Sequence, residues 1–117
     1  MEICYETKDA EKKCTDFSYA KKKLPKDVAE KLASHINYIE QAEKFSDIIN
    51  YPPFNFHKLL GDRKGYYALD VGRRLGYRII IEPLDDNGDS LIKENDMKII
   101  TNCTKIVLVL EVTNHYD

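Results

Sequence analysis

The sequence predicts an α+β fold: an N-terminal strand and two helices packed on a curved, mainly antiparallel sheet. Two observations carry this. Apolar residues recur at helical spacing before residue 50, and after residue 65 they alternate with period two or form β-branched runs. That order, strand and helices first and three strands after, favours helices segregated on one face of a sheet. With 117 residues and 43% hydrophobic content, a single domain over 1–117 can bury a core, and no repeat, low-complexity tract or Gly/Ser linker marks a boundary.

At the N-terminus, "EICYE" reads as a short opening strand. "DAEKKCTDFSYAKKKL" reads as a first helical segment broken near Thr15 and Asp16, either of which can cap its second half. Pro25 fits the first position of a longer helix, where a missing N–H costs nothing. Val28, Leu32, Ile36 and Ile39 then fall on one buried stripe, and His35 is assigned to the solvated side. "SDIIN" adds a turn before Pro52 and Pro53 stop it. In "GYYALDV", Tyr67, Leu69 and Val71 point one way and Tyr66, Ala68 and Asp70 the other, so at least one of the two tyrosines belongs to the core. "YRIIIE" and "KIVLVLEV" are β-branched runs suited to central strands. Between them, residues 83–104 form a long acidic excursion rich in turn residues.

Composition narrows the function classes. No stretch approaches the ~20 apolar residues of a membrane span, and "MEICYETKDAEKK" lacks the order of a signal peptide, so a cytoplasmic protein with no membrane partner is expected. Cys4, Cys14 and Cys103 have no C-x-x-C spacing and no neighbouring ligand set, which favours reduced structural thiols over a zinc site. The net charge of −2 argues against a surface that binds polyanions everywhere. Residues 51–82, however, carry 6 basic and 3 acidic groups, a local excess inside an acidic chain. Lys21 to Lys23 read as a solvated face, with contact to RNA as the alternative.

The arginines sharpen this. Lysines outnumber them 14 to 4, yet all four lie in "HKLLGDRKGYYALDVGRRLGYRI", residues 57–79. Arginine's rigid fork of donors suits a bidentate grip on carboxylate or phosphate, so the clustering points to an anion site. Arg63 and Lys64 sit in the "GDRKG" loop, Arg73 and Arg74 in the next turn, and Arg78 on a strand among isoleucines. An arginine there needs a partner or a solvated cleft; the structural alternative is an ion pair with Asp70 or Glu82. For His57, which follows "PPFNF", the structural reading is a hydrogen bond to loop backbone.

These residues carry a resemblance. "FHKLLGDRKGYYALDVGRRLGYRIIIEPL", with the closing "KIVLVLEVTNHYD", is similar to the RelE/HigB superfamily of toxins from type II toxin–antitoxin systems, in particular the HigB-like killer proteins. The likeness covers most of the chain. It includes the opening strand, the "KLPKDVAEKL" helix, the His-x-Leu-x-Gly-Asp-Arg-x-Gly loop, the Tyr-Arg-Ile strand and the final strand, in that order. The resemblance implies a RelE-like microbial ribonuclease fold and a metal-independent, cofactor-free endoribonuclease (mRNA interferase) that enters the ribosome and cuts mRNA. Its implied partners are the ribosome, mRNA and a cognate HigA-like helix-turn-helix antitoxin.

Residue by residue, the resemblance places His57, Arg78, His115 and Tyr116 in catalysis, and Lys58, Arg63, Lys64, Arg73 and Arg74 in RNA binding. Which of Arg73 and Arg74 matches the family's basic position stays open, because the turn is longer here. Two positions depart from the pattern. Relatives end in Asp-Tyr-His where this chain has Asn114, His115, Tyr116, and some carry lysine where Leu60 stands, so the identity of the general base is left open. The chemistry such an enzyme needs is brief. A base takes the 2′-OH proton, a cation stabilises the phosphoryl oxygens, and an acid protonates the leaving 5′-oxygen. Arginine fits the second role, and histidine, with an ordinary pKa of about 6.5, fits the first or third. Two other readings stand beside it: a ParE-like inhibitor of DNA gyrase acting by binding, and a RelE-fold binding module without catalysis.

Overall fold

Asp16 divides the first helical stretch, because its carboxylate accepts the Tyr19 amide at 3.1 Å and so starts a second helix one residue after the first ends. In this computed structural model, which describes residues 1–72 and 74–114, the helices are α1 (Lys8–Thr15), α2 (Phe17–Lys23), α3 (Lys26–Gln41), α4 (Phe45–Ile49) and α5 (Met97–Cys103). The strands are β1 (Glu2–Tyr5), β2 (His57–Lys58), β3 (Tyr67–Val71), β4 (Tyr77–Leu84) and β5 (Ile106–Asn114). Pro25 is the cap of α3 and not its first helical residue; its carbonyl accepts the Ala29 amide. Pro52–Phe54 and Gly61–Arg63 are single 3₁₀ turns.

The five strands form one mixed, mainly antiparallel sheet in the order β1-β5-β4-β3-β2, with β1 parallel to β5. The two β-branched runs take the central places. Both short elements that the sequence reading lacks are weak in local pattern. β2 is two residues long, and α5, inside the acidic excursion, buries only Ile100.

Helices α1, α3, α4 and α5 contribute buried side chains to the layer on one face, and α2 packs on α1 and α3. There Val28, Leu32, Ile36 and Ile39 meet Tyr67, Leu69, Val71, Ile79, Ile81, Val107, Val109 and Val112 in a single cluster. Leu32, Ile39 and Ile81 are fully buried, each contributing about 1.5–3 kcal/mol of transfer free energy. The Pro52–Phe54 turn drives Phe54 into this layer, beside β3. On the opposite face Leu59, Ala68 and Ile80 form a small second cluster with Tyr66 and Leu110. The pairing of β4 with β5 shifts between Ile80 and Ile81, which leaves Leu110 as an extra residue and turns it toward this cluster. Among the described residues, no helix is long and apolar enough to cross a membrane.

Candidate active site on the helix-free face

Cross-strand partners share a face, so the register locates the functional side chains. His57 pairs with Ala68, Ala68 with Ile80, and Ile80 with Glu111; one step along, Asp70 pairs with Arg78 and Arg78 with Thr113. His57, Asp70, Arg78, Glu111 and Thr113 therefore lie on the face away from the helices. Ideal strand spacings put the His57 and Arg78 Cα atoms about 12 Å apart, with the buried Ala68 and Ile80 between them on the same face.

Arg78 is half-buried, and its Nε is fully buried with no hydrogen-bond partner among the described residues. No ion pair joins it to Asp70 or Glu82 among those residues, so the structural alternative for this arginine is not formed. The Asp70 carboxylate is engaged elsewhere: its Oδ2 accepts from Asn55 Nδ2 at 2.9 Å. Arg78 therefore carries a desolvation cost at Nε that no partner among the described residues offsets, while the half-buried side chain keeps part of its surface in solvent, where an anionic ligand can meet it.

His57 Nδ1 lies 2.7 Å from the Asn55 carbonyl oxygen. A carbonyl only accepts, so the proton sits on Nδ1 and the neutral ring presents the Nε2 lone pair. The loop-backbone bond is thus present, and it also sets the tautomer that a general base requires. Asn55 was not among the candidate residues read from the sequence. The one signal for it was an asparagine directly after Pro-Pro-Phe, a residue type that accepts the left-handed turn it adopts here, at φ 44° and ψ 50°.

The remaining basic residues divide. Arg63 forms an ion pair with Glu111 at 3.0 Å, and because both side chains are 43% exposed the pair contributes no more than about 1 kcal/mol. Its effect is positional, fastening the "GDRKG" loop across the face to β5. Lys58 and Lys64 are exposed and line a recess of about 190 Å³ with Leu60, Glu94 and Asn95. Arg74 is exposed in the turn between β3 and β4. Arg73, His115 and Tyr116 lie outside the described residues. Among the described residues no cluster of His, Cys, Asp or Glu is arranged to hold a metal ion. Cys4, Cys14 and Cys103 are free thiols, and burial pushes Cys14 up to about 12, so it stays protonated.

His35 corrects the sequence reading. It is 4% exposed, packed edge-on against Phe54 at 4.8 Å, with its Nε2 unpartnered among the described residues. The stripe itself explains this: 35 is seven beyond Val28, three beyond Leu32 and four before Ile39, so helical geometry buries it whatever its polarity. Burial lowers its pKa below the ordinary histidine value, and Lys31 adds to that, against an opposing effect of the Asp70 backbone. The folded ring stays neutral where the unfolded one, near about 6.5, takes a proton. Stability is therefore complete above that value and falls as pH drops from it toward the folded pKa. Denaturation midpoints between pH 5 and 8 are expected to show this slope in the native chain and to lose it in His35→Leu; an unchanged slope would assign the effect to other groups.

Against known proteins, no family model matches the chain and no curated protein matches it.

Proposed function

We propose that this chain is a ribosome-dependent mRNA endoribonuclease, a RelE/HigB-type toxin acting in the cytoplasm and neutralised by a HigA-like antitoxin. The observation that carries the proposal is an Arg78 with no ion-pair partner among the described residues, on the same sheet face as a histidine whose Nδ1 bond leaves Nε2 as the basic atom. In this mechanism His57 Nε2 takes the 2′-OH proton, and the 2′-oxygen attacks the adjacent phosphorus. Arg78 donates to the phosphoryl oxygens as their charge grows. The P–O5′ bond breaks, the 5′-oxygen leaves with a proton, and a 2′,3′-cyclic phosphate remains. The resemblance assigns that last proton to the tail, to His115 or Tyr116. An N–H donor set and an imidazole meet the needs of this reaction, so the scheme uses no metal and no cofactor.

The reach of the basic surface supports the ribosome requirement. Arg78 and the exposed Arg74 and Lys64 can neutralise a short length of backbone, while Lys58, opposite Tyr67, belongs to the helix side, Arg63 is spent on Glu111 and the chain as a whole is acidic. A patch of this size seats an mRNA presented to it and holds free RNA weakly. Induced expression is expected to stop translation and to yield transcripts cut where ribosomes sit, with ribosome-bound mRNA cleaved far faster than naked RNA. Equal cutting of both would remove the ribosome from the proposal. Loss of DNA supercoiling with intact mRNA would replace it with gyrase inhibition.

A further inference from the structure

We infer that Asn55 is a positioning residue that holds the Asp70 carboxylate away from Arg78 and so keeps the guanidinium open to a phosphate; the inference rests on the proposed role of Arg78. Asp70 and Arg78 are directly opposite in the β3–β4 ladder. Side chains so placed have Cβ atoms about 4.5–5.5 Å apart, and a carboxylate and a guanidinium at that separation ordinarily close into an ion pair. Here they do not. Asp70, 8% exposed, turns its Oδ2 to Asn55 Nδ2 at 2.9 Å, and Arg78 Nε is left without a partner among the described residues.

The backbone of Asn55 shows why this residue can reach both neighbours. It is the only non-glycine with positive φ among the described residues, at the point where the chain leaves the buried Phe54 and starts toward β2. In that conformation its amide side chain meets Asp70 while its carbonyl accepts from His57 Nδ1 at 2.7 Å. One residue thereby sets both the availability of the cation and the tautomer of the base. The second function belongs to the backbone, so a substitution can separate the two.

Asn55→Gly is the informative variant, because glycine adopts this φ without strain and removes only the side-chain amide. Released, Asp70 pairs with Arg78. Binding of inorganic phosphate, followed through the Arg78 Nε–H resonance, is expected to weaken roughly ten- to hundredfold, the range for losing a donor to a competing charged acceptor. Adding Asp70→Asn removes the competitor and is expected to restore phosphate binding, with RNA cleavage changing in parallel. A purely structural asparagine would behave otherwise: Asn55→Gly would lower the melting temperature, and Asp70→Asn would restore nothing. That result overturns the inference, as does a native Arg78 resonance indifferent to phosphate. If the loss and rescue of phosphate binding appear while no form of the protein cuts RNA on ribosomes, the nuclease proposal fails and the role of Asn55 stands.

Discussion

Arg78→Ala is expected to lower the cleavage rate by about a hundredfold or more while moving the melting temperature little. Both halves of that expectation come from the same observation. Removing one member of a buried ion pair strands its partner and costs about 3–5 kcal/mol. Arg78 has no carboxylate partner among the described residues, and Asp70 keeps its bond to Asn55 when the guanidinium is gone. The fold loses the packing of the arginine stem, and it sheds a desolvated, unsatisfied Nε in the same step. The proposed reaction loses the donor fork at its phosphate. Arg78→Lys restores the charge without the planar fork and should recover part of the rate. Single-turnover cleavage on programmed ribosomes, alongside thermal melts, separates the cases. A melting temperature that falls steeply, or a variant that cuts at the native rate, would remove Arg78 from catalysis.

The parts of this arrangement that were legible in the sequence are those written in local periodicity. Alternation put Tyr67, Leu69 and Val71 on one face of their strand and separated Arg78 from Ile79 and Ile81 on the next, the structure adds which face is the core, and the stripe of α3 placed Val28, Leu32, Ile36 and Ile39 in the core. Residue type narrowed the cap of α2 to Thr15 or Asp16, and the structure gives it to Asp16. His57 and Arg78 were both identifiable as candidates, and the register puts them on one face. The hidden parts were non-local or contrary to residue type. The diversion of Asp70 depends on a hydrogen bond across 15 residues of sequence and on a left-handed backbone at Asn55. The clasp between Arg63 and Glu111 spans 48 residues. His35 sat on the buried stripe by spacing, but its polarity argued for solvent; burial prevailed because the rest of that helical face is apolar. The two-residue β2 is shorter than any period that could reveal it.

Gly65→Ala is expected to destabilise the protein by about 2–5 kcal/mol, lowering the melting temperature by roughly 4 °C per kcal/mol. Gly61, four residues earlier in the same loop, provides the control. Both glycines have positive φ, 67° at Gly61 and 97° at Gly65, so alanine at either position carries the left-handed backbone penalty of about 1–2 kcal/mol. Their surroundings differ. A Cβ on Gly61 would meet nothing within 4 Å, whereas one on Gly65 would overlap the Ile92 carbonyl oxygen and Cγ1. A backbone carbonyl cannot rotate aside as a side-chain tip can, so the acidic excursion or the loop must move as a unit, adding an overpacking cost of about 1–3 kcal/mol. The difference between the two variants therefore measures how tightly the excursion is seated on the "GDRKG" loop. That seating shapes the recess between Lys64 of the loop and Glu94 and Asn95 of the excursion. In Gly65→Ala, hydrogen exchange and limited proteolysis should accelerate within residues 85–96, with the α3 core still protected. Gly61→Ala should lose only the backbone term and leave the excursion's exchange unchanged. Equal losses in the two variants would mean that the excursion yields freely at Ile92, and that nothing in the loop depends on its position.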